Sequence, residues 1–392
     1  MNRSIWLLSL AAFIAAATTR VCDALLPSIA ETFAVPVSTA AIAITAFTFA
    51  YGAFQLVFGP IGGRIGPYRL VAIATMLAAS GAFLCSAATS LGWLTLGRFW
   101  SGLTAAAIIP MSMAYIGDTV AYEDRQPVIA RFLMGQVFGL VFGQAFAGLF
   151  AQFLTWRQLF LVLGTGFVLV ALALWRELHS GRVVNQTSAR TAGNPLVQYL
   201  RVLQVPWARI VLLTVTLEGF LCFGAFPFTA AQLKQQFELD YLLIGLLMSM
   251  LGLGGLVYII GVRALLKRLG ETGLAWTGGA LMLSGFVLTA VAPVWPLFGL
   301  AFLLIGLGFY MLHNTLQTNA TQMAPFDRSA AISLFAFALF VGQAIGATAL
   351  GHLGEWSGYG AIFLLAGVGL GILAWLFGTL NQRHRLAQAA AQ

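Results

Sequence analysis

Residues 5–30 read IWLLSLAAFIAAATTRVCDALLPSIA, a run that is almost wholly apolar apart from Arg20 and Asp23. About 20 such residues are enough for a helix to cross the hydrocarbon core of a bilayer, so this run predicts a membrane-spanning helix. A charge at the centre of such a helix costs about 2.5–3.5 kcal/mol on insertion scales. Arg20 and Asp23, one helical turn apart, therefore predict that this helix faces an aqueous cavity or a partner inside the protein.

The composition extends this prediction to the whole chain. Of its 392 residues, 60% are hydrophobic and 8% are charged, and the mean hydropathy is +0.91. Soluble domains carry about 25% charged residues, so the composition excludes an ordinary soluble protein. The three cysteines lie in apolar runs without the spacing of a disulfide framework or a metal site. We interpret the first apolar run as a membrane helix and not as a cleaved signal peptide.

The same length criterion predicts an all-α integral membrane protein with twelve spanning helices. They are expected at 5–30, 38–61, 70–88, 93–117, 130–153, 158–176, 206–231, 241–262, 273–292, 295–318, 330–351 and 359–380. One long polar interruption divides them, which predicts an N-terminal six-helix bundle (1–176), a cytoplasmic linker (177–204) and a C-terminal six-helix bundle with a short cytoplasmic tail (205–392).

The two halves also resemble each other in sequence. YEDR (122–125) precedes a run containing FGQAFAG (142–148), as PFDR (325–328) precedes one containing VGQAIGA (341–347). This echo predicts two pseudo-symmetric bundles, a plan typical of secondary transporters whose site lies between the repeats.

Basic residues predict the orientation. If both termini are cytoplasmic, all 20 Lys and Arg residues lie on the inside except Arg157 and Lys234, outside, and Arg20 and Arg98, within spans. This asymmetry is typical of a multi-pass protein of the inner (plasma) membrane. It also accounts for the net charge of +8 without a nucleic-acid partner.

Ionisable residues well inside the predicted spans are Arg20, Asp23, Arg98, Glu218 and His313. Each lies on the first helix of a three-helix group, and a single cavity lined by those four helices explains them all. From its depth we expect Arg98 to reach Asp23, which the two arginines then share. The alternatives are that Arg20 and Asp23 form only a structural pair and that Arg98 only anchors helix packing.

Glu218 has no basic residue in its own span, and desolvation favours the neutral form of such an acid. It is our first candidate for a proton carrier, Asp23 is the second, and Arg98 is a further proton-coupling candidate; a merely structural Glu218 is the alternative. Substrate-cavity candidates are Arg20, Tyr51, Phe54, Phe220, Phe223, His313, Asn314 and Gln317. The aromatic residues are at least as well explained by packing, the polar ones by helix-to-helix hydrogen bonds, and His313 by an inner gate.

At this point the chain resembles the major facilitator superfamily, and within it the twelve-helix drug:proton antiporter branch. GPIGGRIGPYR (59–69) is similar to motif A, with Gly63 where the family has the Asp that is thought to latch the inner side, and RALLKRLG (263–270) is a weaker echo. LGRFWSGL (96–103) resembles motif B, whose Arg the family associates with proton movement. GQVFGLVFGQAFAG (135–148) resembles the antiporter signature, with Gln144 in place of Pro. CDALLP (22–27) and WRQLF (156–160) also match the branch.

The resemblance implies a gating role for a set of motif residues: Gly59, Arg64, Gly66, Arg69, Gly139, Gly143 and Gly148. Independently of the resemblance, glycines at 135, 139 and 143 give one smooth helix face that another helix can approach closely.

Together these observations predict a secondary active transporter that exports a small drug-like or metabolite compound in exchange for protons by alternating access. No phosphate-binding GxxxxGK[ST] motif and no catalytic constellation is present, so we expect no enzyme and no cofactor or metal. Its partners are a small-molecule substrate, protons and membrane lipid, and we expect a monomer. An uptake symporter or facilitator, a non-transporting membrane sensor and a lipid translocator remain alternatives.

Overall fold

The computed structural model describes residues 3–181, 183 and 195–390, apart from the side chains of residues 60, 63, 122–124, 126, 127, 130 and 388–390. Its helices are α1 (Arg3–Phe33), α2 (Val37–Ala40), α3 (Ile42–Ile65), α4 (Pro67–Ser86), α5 (Leu91–Ala105), α6 (Ile108–Thr119), α7 (Tyr122–Phe153), α8 (Trp156–His179), α9 (Pro195–Gln204), α10 (Pro206–Glu218), α11 (Phe228–Phe237), α12 (Tyr241–Val291), α13 (Pro296–Gln322), α14 (Arg328–Ser357) and α15 (Tyr359–Ala390).

Eleven helical stretches in these described ranges are long and apolar enough to cross a membrane. One of them, α12, holds 51 residues and leaves helical geometry at Gly270, whose φ is 64°. It is therefore two crossings joined at a glycine, and the predicted twelve-helix, all-α membrane fold is confirmed. We call the side where α1 begins and α15 ends the terminal side, and the side where α1 ends the distal side.

The helix ends follow local sequence. Pro67, Pro206 and Pro296 open α4, α10 and α13, where a missing backbone N–H costs nothing. Thr155 and Gln158 form a capping box at the start of α8. Gly66 adopts φ 88° between α3 and α4, a conformation that favours glycine.

Several boundaries differ from the predicted spans. The predicted span 93–117 is interrupted between α5 and α6, and the predicted span 206–231 contains a π-helical turn at Gly219–Phe223. The predicted linker holds the amphipathic helix α9, and the final helix continues past residue 380 to Ala390. Residues 182 and 184–194 of the linker lie outside the described residues.

Glycines allow the closest helix contacts. Gly139 and Gly143 of α7 face the backbone of α1 at Phe13 and Ala17. Across the two halves, Gly148 of α7 meets Gly245 of α12 so closely that a Cβ on Gly245 would lie 2.8 Å from Gly148 Cα. A second contact between the halves joins α3 to α14. The intramembrane charges lie between these two contacts.

Candidate functional site

Arg20 and Asp23 lie on the inward face of α1, where Asp23 is completely buried and Arg20 is 8% exposed. Arg20 Nη1 is 3.6 Å from Asp23 Oδ2. The guanidinium carbon lies over the ring of Phe223, 3.7 Å from its centre. The helical spacing that made these residues neighbours in the sequence thus forms one buried ion pair on an aromatic surface.

Two glutamines hold this ion pair from opposite sides. Gln144 of α7 donates from Nε2 to Asp23 Oδ2 at 3.4 Å. Arg20 donates from Nη2 to Oε1 of Gln343, on α14, at 3.2 Å. The motif comparison marks Gln144 only as a departure from the family pattern, and it does not single out Gln343 as a site residue. The signal was present in the repeated GQA of the two halves.

Arg98 does not reach Asp23, contrary to our expectation. Both residues belong to the described part of the chain, and they form no ion pair there. Arg98 instead donates to the backbone carbonyls of Thr18, at 3.0 Å, and Ala43, at 3.4 Å. Thr18 lies five residues before Asp23 on α1, about 7.5 Å along the axis, so the guanidinium binds the backbone about one and a half turns short of the carboxylate. Within the described residues Asp23 is therefore in direct contact with one arginine, Arg20, and Arg98 acts on it only from a longer distance.

Glu218 ends α10 and is completely buried. Its Oε2 lies 2.8 Å from Nδ1 of His313, on α13, while Oε1 has no hydrogen-bond partner within the described residues. The sequence predicts no basic partner for Glu218 in its own span, and it makes His313 a cavity candidate with an inner gate as the alternative. The partner comes from another helix of the same half, and it is His313.

The π-helical turn after Glu218 shapes this region. In an α-helix, residues five apart point about 140° away from each other. The i→i+5 bond from the Gly224 N–H to the Gly219 carbonyl widens the turn and brings Phe223 closer to the face that carries Glu218. Phe223 packs edge-on against Phe309 at 4.6 Å, and Phe309 stacks on His313 at 4.8 Å. Two aromatic rings therefore separate Arg20 from the Glu218–His313 pair.

The other cavity candidates are dispersed. Tyr51 is buried against Phe340 of α14, with ring centres 4.6 Å apart, and Phe54 lies beside Phe58 at 6.2 Å. Phe220 is half-buried, and its backbone lies against Gly346. The remaining two candidates belong to α13. Asn314 donates to the Tyr310 carbonyl of its own helix, and Gln317 is exposed.

The motif residues with a predicted gating role form two groups. Gly59, Arg64, Gly66 and Arg69 lie at the terminal end of α3 and the start of α4, where both arginines are exposed. Gly139, Gly143 and Gly148 lie in the α7 contacts with α1 and α12. The first group is thus at a surface turn and the second within the packed interior.

Polar contacts join the two halves on the distal side. The Tyr241 hydroxyl donates to Glu31 at 2.8 Å, the Ser38 hydroxyl donates to Glu355, and the hydroxyls of Thr45 and Thr348 are 3.1 Å apart. Beyond them lies a distal recess of about 680 Å³. In the region that the structure describes, no group of three His, Cys, Asp or Glu side chains is arranged to hold a metal ion.

Comparison with known proteins places this geometry in a family. Residues 8–328 match the family model of the Major Facilitator Superfamily. A stretch of 173 residues is 31% identical to the putative uncharacterized transporter YgaY of Escherichia coli (strain K12), covering 44% of this chain and only 43% of that protein. Over 380 residues the chain is 26% identical to the uncharacterized MFS-type transporter YceJ of Bacillus subtilis (strain 168), covering 93% and 94%.

A further relative is the multidrug export protein EmrB of Haemophilus influenzae, 27% identical over 176 residues, or 44% of this chain and 34% of that protein.

Among solved structures, a bacterial homologue of the human lysosomal transporter Spinster, inward-facing and unoccupied, aligns with TM-score 0.77 at 16% identity, covering 97% and 96% of the two chains. The nucleoside transporter NupG aligns with TM-score 0.74 at 14% identity, covering 96% and 98%. At these identities the likeness is one of fold.

Proposed function

This chain belongs to the Major Facilitator Superfamily, and we propose that it exports a small, partly apolar compound with a basic nitrogen in exchange for protons. That it is a multi-pass membrane transporter follows from the family model, the full-length relative and the fold. The substrate, the direction and the proton coupling are the proposal.

The observation that carries the proposal is the buried contact between Glu218 and His313. With one proton the pair is a carboxylate beside an imidazolium, and its net charge is zero. Without that proton the pair carries one negative charge, which is costly in a closed, dry site. The negatively charged pair must therefore bind either a proton or a cationic group. A site that binds only one of the two at a time exchanges protons for the cationic compound.

Asp23 is the weaker candidate for this role. Its charge is already balanced by Arg20 at 3.6 Å, and its Oδ2 accepts from Gln144. Arg98, bound to two backbone carbonyls, acts in this account by holding α1 and α3 together. Both residues support the site without carrying the exchanged proton.

Export is supported by the likeness of residues 135–148 to the antiporter signature and by the match to EmrB. Because basic residues are concentrated at the terminal side, we assign that side to the cytoplasm and the protein to the inner membrane. The polar contacts on the distal side then close the outer end of the site. Rocking of the two halves about their glycine contacts opens the ends in turn, and the membrane potential supplies about 2.3 kcal/mol per charge per 100 mV.

The experiment is proton flux into proteoliposomes that contain a trapped pH-sensitive dye. Reconstituted protein is challenged with gradients of hexylamine, tetraphenylphosphonium and ethidium, in the wild type and in Glu218→Gln and Asp23→Asn. Protein-free liposomes give the baseline, because neutral hexylamine crosses the bilayer and moves protons by itself. Glu271→Gln is the matched control, because it removes a carboxylate whose partner, Arg385, lies at the terminal end of the fold.

We expect movement of at least one of these cations to drive protons the opposite way in the wild type, in Asp23→Asn and in Glu271→Gln. Glu218→Gln, which lacks the carboxylate that takes either the proton or the cationic group, should exchange neither. If the wild type moves the cation without any proton signal, the protein is a facilitator. If protons move in the same direction as the cation, it is a symporter. Either result would overturn the proposal.

A further inference from the structure

Arg20 has more hydrogen-bond donors than its surroundings use. A guanidinium group carries five N–H donors in a rigid fork. Nη2 donates to Gln343, but Nη1 is 3.6 Å from the nearest carboxylate oxygen and makes no hydrogen bond within the described residues. The residue is almost wholly buried, with 8% of its surface exposed.

Gln343 also has a side-chain N–H donor that no acceptor among the described residues uses. Its side chain is completely buried, its Oε1 accepts from Arg20, and its Nε2 has no acceptor in the described part of the chain. A buried donor left without a partner loses its hydrogen bonds to water and gains none in return, which destabilises the empty site. Two adjacent side chains, one charged and one neutral, therefore hold unused N–H groups at the contact between α1 and α14.

Asp23 does not remove this surplus. Its Oδ2 accepts from Gln144 of α7, and its Oδ1 has no hydrogen-bond partner within the described residues. Gln144 and Gln343 have opposite roles at the same ion pair, because Gln144 donates to the acid and Gln343 accepts from the base. A group with two acceptor oxygens, such as a carboxylate, matches the donors of Arg20 and Gln343. On the Gln144 side the unpaired oxygens, Asp23 Oδ1 and Gln144 Oε1, are acceptors and repel a second carboxylate.

We propose that Arg20 and Gln343 form a subsite for a carboxylate, and that the exported compound is an extended zwitterion whose ammonium group binds Glu218. This inference rests on the proposed function for its second half. Glu218 Oε1, which has no partner, supplies the acceptor for the ammonium group. Phe223 and Phe309 lie between the two ends, so the charges of the compound are separated by several carbon atoms that pack on the rings.

The test compares four matched probes: ε-aminocaproate, its isomer norleucine, hexylamine and caproate. The first has both charges far apart, the second has both on neighbouring atoms, and the last two have one charge each. Binding to the full-length purified protein is measured by competition and by thermal shift. The variants are Arg20→Lys, Gln343→Leu and, as a matched control, Gln232→Leu, which removes a buried glutamine that bonds α11 to the Thr289 carbonyl of α12.

We expect ε-aminocaproate to bind about tenfold or more tightly than each of the other three probes, the equivalent of one charge-assisted hydrogen bond. Gln343→Leu and Arg20→Lys should remove most of its affinity advantage over hexylamine, and Gln232→Leu should leave that affinity ratio unchanged. Equal binding of ε-aminocaproate and hexylamine, no binding of ε-aminocaproate, or loss of the affinity ratio in Gln232→Leu would overturn the subsite.

The two proposals fail separately. Suppose that hexylamine drives protons the opposite way, but the affinity ratio of ε-aminocaproate to hexylamine does not depend on Gln343. Then the carboxylate subsite is wrong and the antiporter proposal stands. If the ratio depends on Gln343 but no probe moves protons, the subsite stands and the antiporter is wrong.

Discussion

At the scale of single residues, the balance of buried charge explains most of the central site. Glu218 and Asp23 are both completely buried, and within the described residues each has one basic side chain in direct contact, His313 at 2.8 Å and Arg20 at 3.6 Å. An arginine keeps its charge, whereas a carboxylate and an imidazole in contact can share one proton. The two acids therefore have different roles in this account: Asp23 holds Arg20 in place, and Glu218 exchanges a proton.

Arg98 gives a prediction about stability. Its two hydrogen bonds to the Thr18 and Ala43 carbonyls join α5 to α1 and to the start of α3. Arg98→Leu should lower the free energy of unfolding in detergent by about 2 kcal/mol, because hydrogen bonds from a charged donor are worth about 1.5–3 kcal/mol each and the leucine recovers part of that by packing. The measurement is denaturant unfolding of the purified protein. Arg64→Leu, at an exposed arginine, is the control, and an equal loss there would contradict this role.

The sequence predicted which residues carry the buried charges, because charge inside an apolar run is costly wherever it lies. It did not predict their partners. Arg98 binds backbone carbonyls and Glu218 binds His313 because of how the helices are rotated and how deep each side chain lies. An error of one residue in rotation moves a side chain by about 100° around the helix, which is enough to exchange one partner for another.

At the scale of elements, the glycine face of α7 sets the distance to α1. A Cβ at Gly139 would collide with the Phe13 carbonyl, one at Gly143 would lie 2.7 Å from the Ala17 carbonyl, and one at Gly135 would lie 3.2 Å from the Ser9 carbonyl. The space for a side chain thus differs along a single helix face.

This gradient predicts the effect of alanine substitutions. Gly139→Ala should push α7 away from α1 and reduce the yield of folded protein severely, Gly143→Ala should do so moderately, and Gly135→Ala should have little effect. The measurement is the monodisperse fraction in size-exclusion chromatography together with the melting temperature. Equal effects at the three positions would show that the close contact does not limit packing.

Hydropathy and spacing predicted that these helices exist, but not their irregularities. The π-helical turn at Gly219–Phe223 and the break between α5 and α6 are local changes of hydrogen bonding within uniformly apolar sequence. The amphipathic helix α9 lies in a stretch too polar to read as a span. The π turn matters for the site, since it brings Phe223 towards the face of Glu218, and no residue pattern around it indicated that geometry.

At the scale of the whole molecule, twelve crossings and an internal duplication were both predicted, because they follow from length, hydropathy and repeated motifs. The sequence did not predict which end of the transporter is closed. That depends on a few polar contacts between the two halves. The Thr45 and Thr348 hydroxyls, 3.1 Å apart across the distal side, mark the closed end.

A disulfide across that contact tests alternating access. In the double variant Thr45→Cys and Thr348→Cys, oxidation should hold the distal side closed and stop net transport, and reduction should restore it. Each single variant is a control, and the three native cysteines are buried and unpaired. Full transport in the cross-linked protein would contradict a cycle in which the distal side opens.

The central claim is that the Glu218–His313 pair exchanges a proton for the cationic group of the substrate. The most direct measurement is proton release when ε-aminocaproate or hexylamine binds to the purified protein in weakly buffered detergent solution, recorded for the wild type and for Glu218→Gln. We predict that binding releases protons from the wild type and none from Glu218→Gln, with Glu271→Gln behaving as the wild type. Proton release that persists in Glu218→Gln, or wild-type binding without release, would contradict the account.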